Sequence, residues 1–348
     1  MVNCDCKNFE VTRQGFEQRI LYFDNDICAA CGLCESICPV NAITLNPTGT
    51  LSRDNVDVSN IVNDDSKCVL CGMCSCICPY DALNLVIDGV NIKELNEYPH
   101  LLKSSEIDDG ECVYCGACVK ACPPQAISLS RNLPDRSKLV TGEISINDED
   151  CIYCGICEEL CPAEAIEIDY VTPSSSNPDI AKGIEVNTDK CVYCLVCKKA
   201  CPVSAITAVC RSCSYGEYDL DAKDAIVTGD ILIDPKYCVN CGWCEDVCPA
   251  DAAKVSKPFE GEISINEDIC QGCETCVLTC PCNALSFPKS SESGLKPTKV
   301  VADDKFCVFC GACQKSCPVN AIEVKRTKIN CTSINSEAWG EAFDSITQ

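Results

Sequence analysis

The sequence is poor in the residues on which hydrolytic and metal-assisted catalysis usually rests. Its 348 residues include one histidine, His100, in the polar stretch Glu97-Tyr98-Pro99-His100, where a lone imidazole reads as solvated rather than as a ligand. There is no H-E-x-x-H zinc motif, no G-x-S-x-G nucleophile elbow and no phosphate-binding glycine loop. The C-x3-C-x2-C signature of radical enzymes is also missing. No segment approaches the roughly 18 apolar residues that a membrane helix needs. Met1 to Phe23 lacks the basic start and apolar run of a signal peptide, so a cytoplasmic location with no membrane segment is expected. Basic charge is scarce as well: 28 Lys and Arg stand against 52 Asp and Glu, a formal net charge of -24. A field of that sign repels phosphate backbones and excludes nucleic acid as a partner.

What the chain has instead is cysteine, 39 residues of it. Hydrophobic residues make up 47% of the chain, but cysteine supplies about 11 of those points and leaves roughly 36% for conventional cores. Something other than an apolar interior must organise the fold. Without a secretory signal, thiols in this number are committed to metal rather than to disulfides.

One pattern, C-x2-C-x2-C-x3-C-P, recurs eight times with no change of cysteine spacing. The motifs are Cys28, Cys31, Cys34, Cys38; Cys68, Cys71, Cys74, Cys78; Cys112, Cys115, Cys118, Cys122; and Cys151, Cys154, Cys157, Cys161. They continue with Cys191, Cys194, Cys197, Cys201; Cys238, Cys241, Cys244, Cys248; Cys270, Cys273, Cys276, Cys280; and Cys307, Cys310, Cys313, Cys317. Zinc knuckles pair two C-x2-C units across a longer gap, whereas this run is the bacterial iron-sulfur signature. Three thiolates hold three irons of one cube, and the fourth cysteine ligates the neighbouring cube. The expected cofactors are eight 4Fe4S clusters on these 32 cysteines. At about -2 for each ligated cluster, the total charge becomes roughly -40, which favours low reduction potentials and a redox partner with a basic docking patch. Clusters with four cysteine ligands have no open iron site, so one-electron transfer is the expected chemistry and catalysis is not.

Six motifs carry glycine after the second cysteine, whereas Leu195 and Glu274 stand there in the fifth and seventh, which predicts altered loops in those two. Alternating runs such as Gly142 to Asn147 precede several motifs and read as strands, as do segments such as Ala165 to Ile168 that follow them. Strand, cluster loop, short helix, strand is half of a two-cluster ferredoxin. The predicted class is α+β, four tandem bacterial-type ferredoxin domains at 1–98, 99–176, 177–257 and 258–348, the last with a C-terminal tail. The Thr172 to Pro178 stretch supports this sequential pairing as a linker, while the similar Lys289 to Lys299 stretch falls inside the last domain and leaves a shifted register open.

Seven cysteines lie outside the repeat: Cys4, Cys6, Cys76, Cys210, Cys213, Cys282 and Cys331. Packing as small hydrophobes is the plain reading of them; the sharper ones are tuning of a cluster by weak S–H donation from Cys76 and Cys282, which sit beside ligands, and a further metal site from Cys4, Cys6, Cys210 and Cys213. Tyr114, Tyr153, Tyr193 and Phe309, just before second cysteines, and Trp243 read as shields against water. Acidic runs such as Asp148-Glu149-Asp150 read as solvated faces. The tail places Trp339 and Phe343 on one face of a short helix that either caps the last domain or docks to a partner.

Eight such motifs between Cys28 and Pro318 in an acidic chain of this length resemble the polyferredoxin components of archaeal formylmethanofuran dehydrogenases. Hydrogenase-associated polyferredoxins use the same motif in longer chains with more copies. The resemblance implies a cytoplasmic methanogen complex that reduces carbon dioxide at a tungsten or molybdenum pterin subunit and transfers formate at an amidohydrolase-like subunit. Both of those subunits, and an electron donor complex or ferredoxin, would be partners. A hydrogenase-linked polyferredoxin, a free electron carrier or reservoir, and a structural metal protein are the competing classes. Anaerobically prepared protein is expected to contain about 32 irons and 32 sulfides per chain by elemental and sulfide assay. Zinc in place of iron would leave only the structural class standing.

Overall fold

The computed structural model describes residues 7–47, 58–132, 142–171, 180–210, 228–287 and 300–347. Each cysteine motif builds the same local structure: an extended loop through the first two cysteines, then a helix of four or five residues that starts two residues past the second. These helices are α1 (Leu33–Ile37), α2 (Met73–Ile77), α3 (Ala117–Ala121), α4 (Ile156–Glu159), α5 (Val196–Ala200), α6 (Trp243–Asp246), α7 (Thr275–Thr279) and α8 (Ala312–Ser316). Most stop on the fourth cysteine, which is extended, as at Cys38 with φ -70° and ψ 112°. The proline that follows excludes the helical region for the residue before it. Helices this short have no stability of their own, so each depends on what it packs against.

The helices pack in pairs, and short antiparallel strands close each pair into a unit. In the first unit α1 meets α2. There β1 (Phe9–Gln14), β2 (Gln18–Phe23), β5 (Leu83–Ile87) and β6 (Val90–Asn91) form a sheet in that order, and β3 (Ile43–Leu45) pairs with β4 (Ile61–Asn63). In the last unit α7 meets α8, β15 (Phe259–Ile265) pairs with β18 (Ile322–Ile329), and β16 (Leu285–Ser286) pairs with β17 (Val301–Ala302).

The middle of the chain departs from the sequential reading of 99–176 and 177–257. The third motif pairs with the sixth: α3 packs on α6, β7 (Ser104–Ile107) pairs with β14 (Ala253–Ser256), and β8 (Ile127–Asn132) pairs with β13 (Thr228–Ile233). The fourth pairs with the fifth, through α4 on α5, β9 (Gly142–Ile146) with β12 (Ile206–Cys210), and β10 (Ile166–Tyr170) with β11 (Ala181–Val186). One unit is therefore inserted into another between β8 and β13. The physical reason is strand complementarity. The strand before the first motif of a unit pairs with the strand after its second: β7 finds that partner in β14 rather than in β10, and β9 finds it in β12. The Thr172 to Pro178 and Lys289 to Lys299 stretches lie outside the described residues, but the strands on either side of each pair with one another. Neither stretch therefore separates two units.

Apolar side chains join the units. Ala117, Leu160, Val196 and Val247 form a dry contact between the inserted unit and its host, flanked by reciprocal bonds from Lys120 Nζ to the Cys161 carbonyl and from Lys199 Nζ to the Cys248 carbonyl. A second cluster, with Tyr80, Val239, Phe306, Val308 and Ala312, gathers the first, host and last units. There Trp243 stacks on Phe306 with ring centroids 3.6 Å apart and donates its indole N–H to the Cys282 carbonyl at 2.8 Å. The tail also crosses units. Leu101 bridges to Cys331, the His100 carbonyl accepts from the Thr332 N–H at 3.0 Å, and in α9 (Glu337–Asp344) Trp339 packs edge-on to Tyr98 while Phe343 is buried. His100 is thus half-buried in an inter-unit bridge and not solvated as expected, because the tail covers its loop. No helix among the described residues is long and apolar enough to cross a membrane.

The nesting can be tested by excision. Asn132 and Thr228 are directly paired, so replacing residues 133–227 with an Asn-Gly turn, a sequence suited to two-residue hairpins, should leave three intact units and about 24 irons. Sequential pairing would instead leave two motifs without partners and roughly 16 irons.

Candidate metal centres

The motif loops are shaped by left-handed residues, three in every motif. In the first they are Ala30, Gly32 and Asn41, with φ of 52°, 76° and 48°. Such reversals turn successive backbone N–H groups toward one concavity, a nest for an anion. The N–H groups of Ala30, Tyr114, Tyr153, Tyr193 and Phe309 point at Sγ of the first cysteine in their motifs, 3.3–3.4 Å away. Those of Ala42, Ala126, Ala165, Ala205, Ala252, Ala284 and Ala321 point at Sγ of the fourth, 3.2–3.4 Å away. Leu195 and Glu274 adopt the same conformation as the glycines they replace, at φ 64° and 66°. The two loops are therefore not altered; side chains there carry a conformational cost of about 1–2 kcal/mol that glycine avoids.

Pairing of motifs brings together three cysteines of one and the fourth of its partner. Cys38 joins Cys68, Cys71 and Cys74 around one cavity of about 360 Å³; Cys201 joins Cys151, Cys154 and Cys157 around another of about 340 Å³. Cys280 with Cys307, Cys310 and Cys313, and Cys161 with Cys191, Cys194 and Cys197, line cavities of about 370 and 360 Å³. The remaining sets interact electrostatically in the same pattern: Cys78 with Cys28, Cys31 and Cys34, Cys248 with Cys112, Cys115 and Cys118, Cys122 with Cys241 and Cys244, and Cys317 with Cys276. Among the described residues no three donor side chains converge tightly enough for a single metal ion. The thiols line a space instead, as a polynuclear cofactor requires.

Burial, and then the neighbouring sulfurs, push the Cys118, Cys197 and Cys244 thiols up to about 12. Four thiolates in one such pocket need a polycation between them. Cys280 departs from this trend, lowered to about 6, chiefly by a hydrogen bond from the Cys282 thiol. Cations also reach the motif loops. Arg13 donates to the Cys68 carbonyl at 2.7 Å, Arg131 to Tyr114 at 2.6 Å, Lys257 to Cys307 at 2.9 Å and Arg326 to Cys310 at 2.6 Å. Sequence reasoning missed these four, because they come from strands and connections with no fixed offset from the motif.

Of the expected shields, Tyr193 and Phe309 are buried and Tyr114 and Tyr153 half-buried. Gly142 leaves room for the Tyr193 ring, which a Cβ there would meet at 2.3 Å. Trp243 instead serves the contact between units described above. Cys76, Cys210 and Cys282 are buried among apolar side chains. Cys4, Cys6 and Cys213 lie outside the described residues. The acidic run Asp148 to Asp150 is exposed, as expected.

The 4Fe-4S dicluster domain family matches residues 27–82, 111–165, 150–205 and 269–321, more than half the chain, and a second group of the same description matches 60–123 and 230–281. The chain belongs to the 4Fe-4S dicluster domain family. Its tandem dicluster ferredoxin units are α+β, as expected. Among curated relatives, the polyferredoxin protein FwdF of Methanocaldococcus jannaschii is 54% identical over 171 residues, 49% of this chain and 48% of that protein. The matched segment spans about half the length of either chain. Among solved structures, one chain of the formate dehydrogenase, heterodisulfide reductase and formylmethanofuran dehydrogenase complex of Methanospirillum hungatei superposes with a TM-score of 0.62 at 27% identity, covering 98% of this chain and 89% of that one.

Glu274 is exposed, so Glu274→Gly removes strain without removing packing. It should raise the unfolding free energy by about 1 kcal/mol, seen as a higher denaturation midpoint followed by the visible cluster absorption. Gly72→Ala should lower it, since the added Cβ would meet Ile92 Cδ1 at 2.7 Å in a backbone at φ 90°.

Proposed function

We propose that the 32 motif cysteines hold eight 4Fe-4S clusters and that the chain conducts low-potential electrons between clusters to a catalytic subunit, without catalysing a reaction itself. The observation that carries this reading is the way unit contacts set cysteine sets of different units against one another. Cys194 of the inserted unit interacts with Cys115 of its host, and Cys31 of the first unit with Cys310 of the last. Cys241 and Cys310 both lie within electrostatic reach of Cys282, at the apolar junction of the first, host and last units. A path of sets follows: from Cys151, Cys154, Cys157 and Cys201, through the host unit, to that junction, where it divides toward the first and last units. At the junction the residues after the first cysteines, Val239 and Val308, are buried. At the far ends their counterparts Val69 and Ile152 are 47% and 53% exposed, and Gln271 is exposed too. Electrons enter and leave at those ends.

The polyferredoxin relative and the structural neighbour within a formylmethanofuran dehydrogenase assembly support a narrower reading. The chain serves carbon dioxide reduction to formylmethanofuran in a cytoplasmic methanogen complex, with a pterin-metal subunit and an amidohydrolase-like subunit as partners. Native protein purified anaerobically from its source, with mass-spectrometric identification of what accompanies it, should be recovered with both subunits. Recovery with hydrogenase subunits, or alone, would replace this reading with a hydrogenase-linked or free carrier.

A further inference from the structure

The position two residues past the fourth cysteine is apolar in six motifs: Val40, Pro124, Ala163, Val203, Ala250 and Val319. In the second and seventh motifs it is Tyr80 and Cys282, side chains that can donate a hydrogen bond. These two residues come from different units and meet at the same place. Both are buried, at 5% and 2% exposure, in the apolar junction that also contains Cys310 and borders Cys280 and Cys307. The Tyr80 hydroxyl is sealed from water and has no well-aligned hydrogen-bond partner in the cofactor-free geometry. It lies in the same buried cluster as Cys310. Cys282 lines the pocket enclosed by Cys280, Cys307, Cys310 and Cys313. A buried hydroxyl without a partner is destabilising. That cost disappears if Cys310 is an anionic iron ligand, because a thiolate accepts where a thiol accepts poorly.

We propose that Tyr80 and Cys282 are redox-tuning residues for one cluster, the one held by Cys280, Cys307, Cys310 and Cys313, and that they raise its reduction potential above those of the clusters beside it. The inference rests on the cluster assignment proposed above. Adding an electron increases negative charge on the ligand sulfurs, so O–H and S–H donors stabilise the reduced cluster more than the oxidised one. Lys257, which donates to the Cys307 carbonyl at 2.9 Å, acts in the same sense. The cluster at the meeting point of three units then holds the electron that arrives from any of them.

The test uses the full chain, purified anaerobically, with iron assay and potentiometric titration followed by electron paramagnetic resonance. Tyr80→Phe removes only the hydroxyl. It should leave iron content unchanged and make one titrating component about tenfold harder to reduce, a fall of about 59 mV for one electron. Cys282→Ala should shift the same component downward, the double variant should shift it further, and Cys282→Ser should largely restore it. Unchanged potentials at full iron content, or shifts in two different components, would overturn the proposal. Wild-type protein without iron would overturn the cluster assignment instead.

Discussion

Four thiols buried against one another cannot all ionise unless cationic charge lies between them. This constraint orders the rest of the structure. The chain places thiols in pockets where burial, and then the neighbouring sulfurs, push Cys118 and Cys197 up to about 12, and its helices are too short to persist without a partner. Iron satisfies the sulfurs, and the sulfurs hold the helices. Backbone N–H groups complete the arrangement, and the left-handed residues that aim them are tolerated even at Leu195 and Glu274. Because each set takes its fourth cysteine from another motif, no motif is complete alone, and the unit of folding is the pair.

That dependence explains what could be read in the sequence and what could not. Cysteine spacing is local, so the motifs, the helix after each second cysteine and the proline stop were all legible. Pairing is not local. Every motif presents the same cysteines to any partner, and the choice falls to strands of five or six residues such as β9 and β12, whose alternation, Gly142 to Ile146 and Ile206 to Cys210, resembles that of every other strand in the chain. The polar Pro and Ser runs misled because segments within a unit and linkers between units have the same composition. Cys282 was legible as an S–H donor beside a ligand, but only the junction shows that Tyr80, from another unit, is buried in the same cluster.

The charge distribution has two scales. Over the whole surface acid dominates, and the formal -24 repels other anions. Within reach of the sulfurs the sign reverses: Arg13, Arg131, Lys257 and Arg326 each place a cationic head on a carbonyl of a motif loop. Lys120 and Lys199 do so across the boundary between the inserted unit and its host. These short-range cations act on particular clusters, whereas the surface charge shifts all of them together. A chain with near-identical binding loops can therefore hold clusters of different potentials, the differences arising where units touch.

Insertion of one unit into another gives those contacts their consequence. In a plain string of four units, each contact would join only neighbours in sequence. Here the host unit meets the inserted unit on one side, through Ala117, Leu160, Val196 and Val247, and the junction of the first and last units on the other, through Trp243. On the proposed path, an electron crossing between two of the three exposed ends passes the apolar junction around Tyr80, Phe306 and Val308. Excluding water there lowers the local dielectric and enlarges the effect of every donor and charge nearby. A hydroxyl or thiol that would matter little beside an exposed cluster thus acts with most force at the one place where the paths meet.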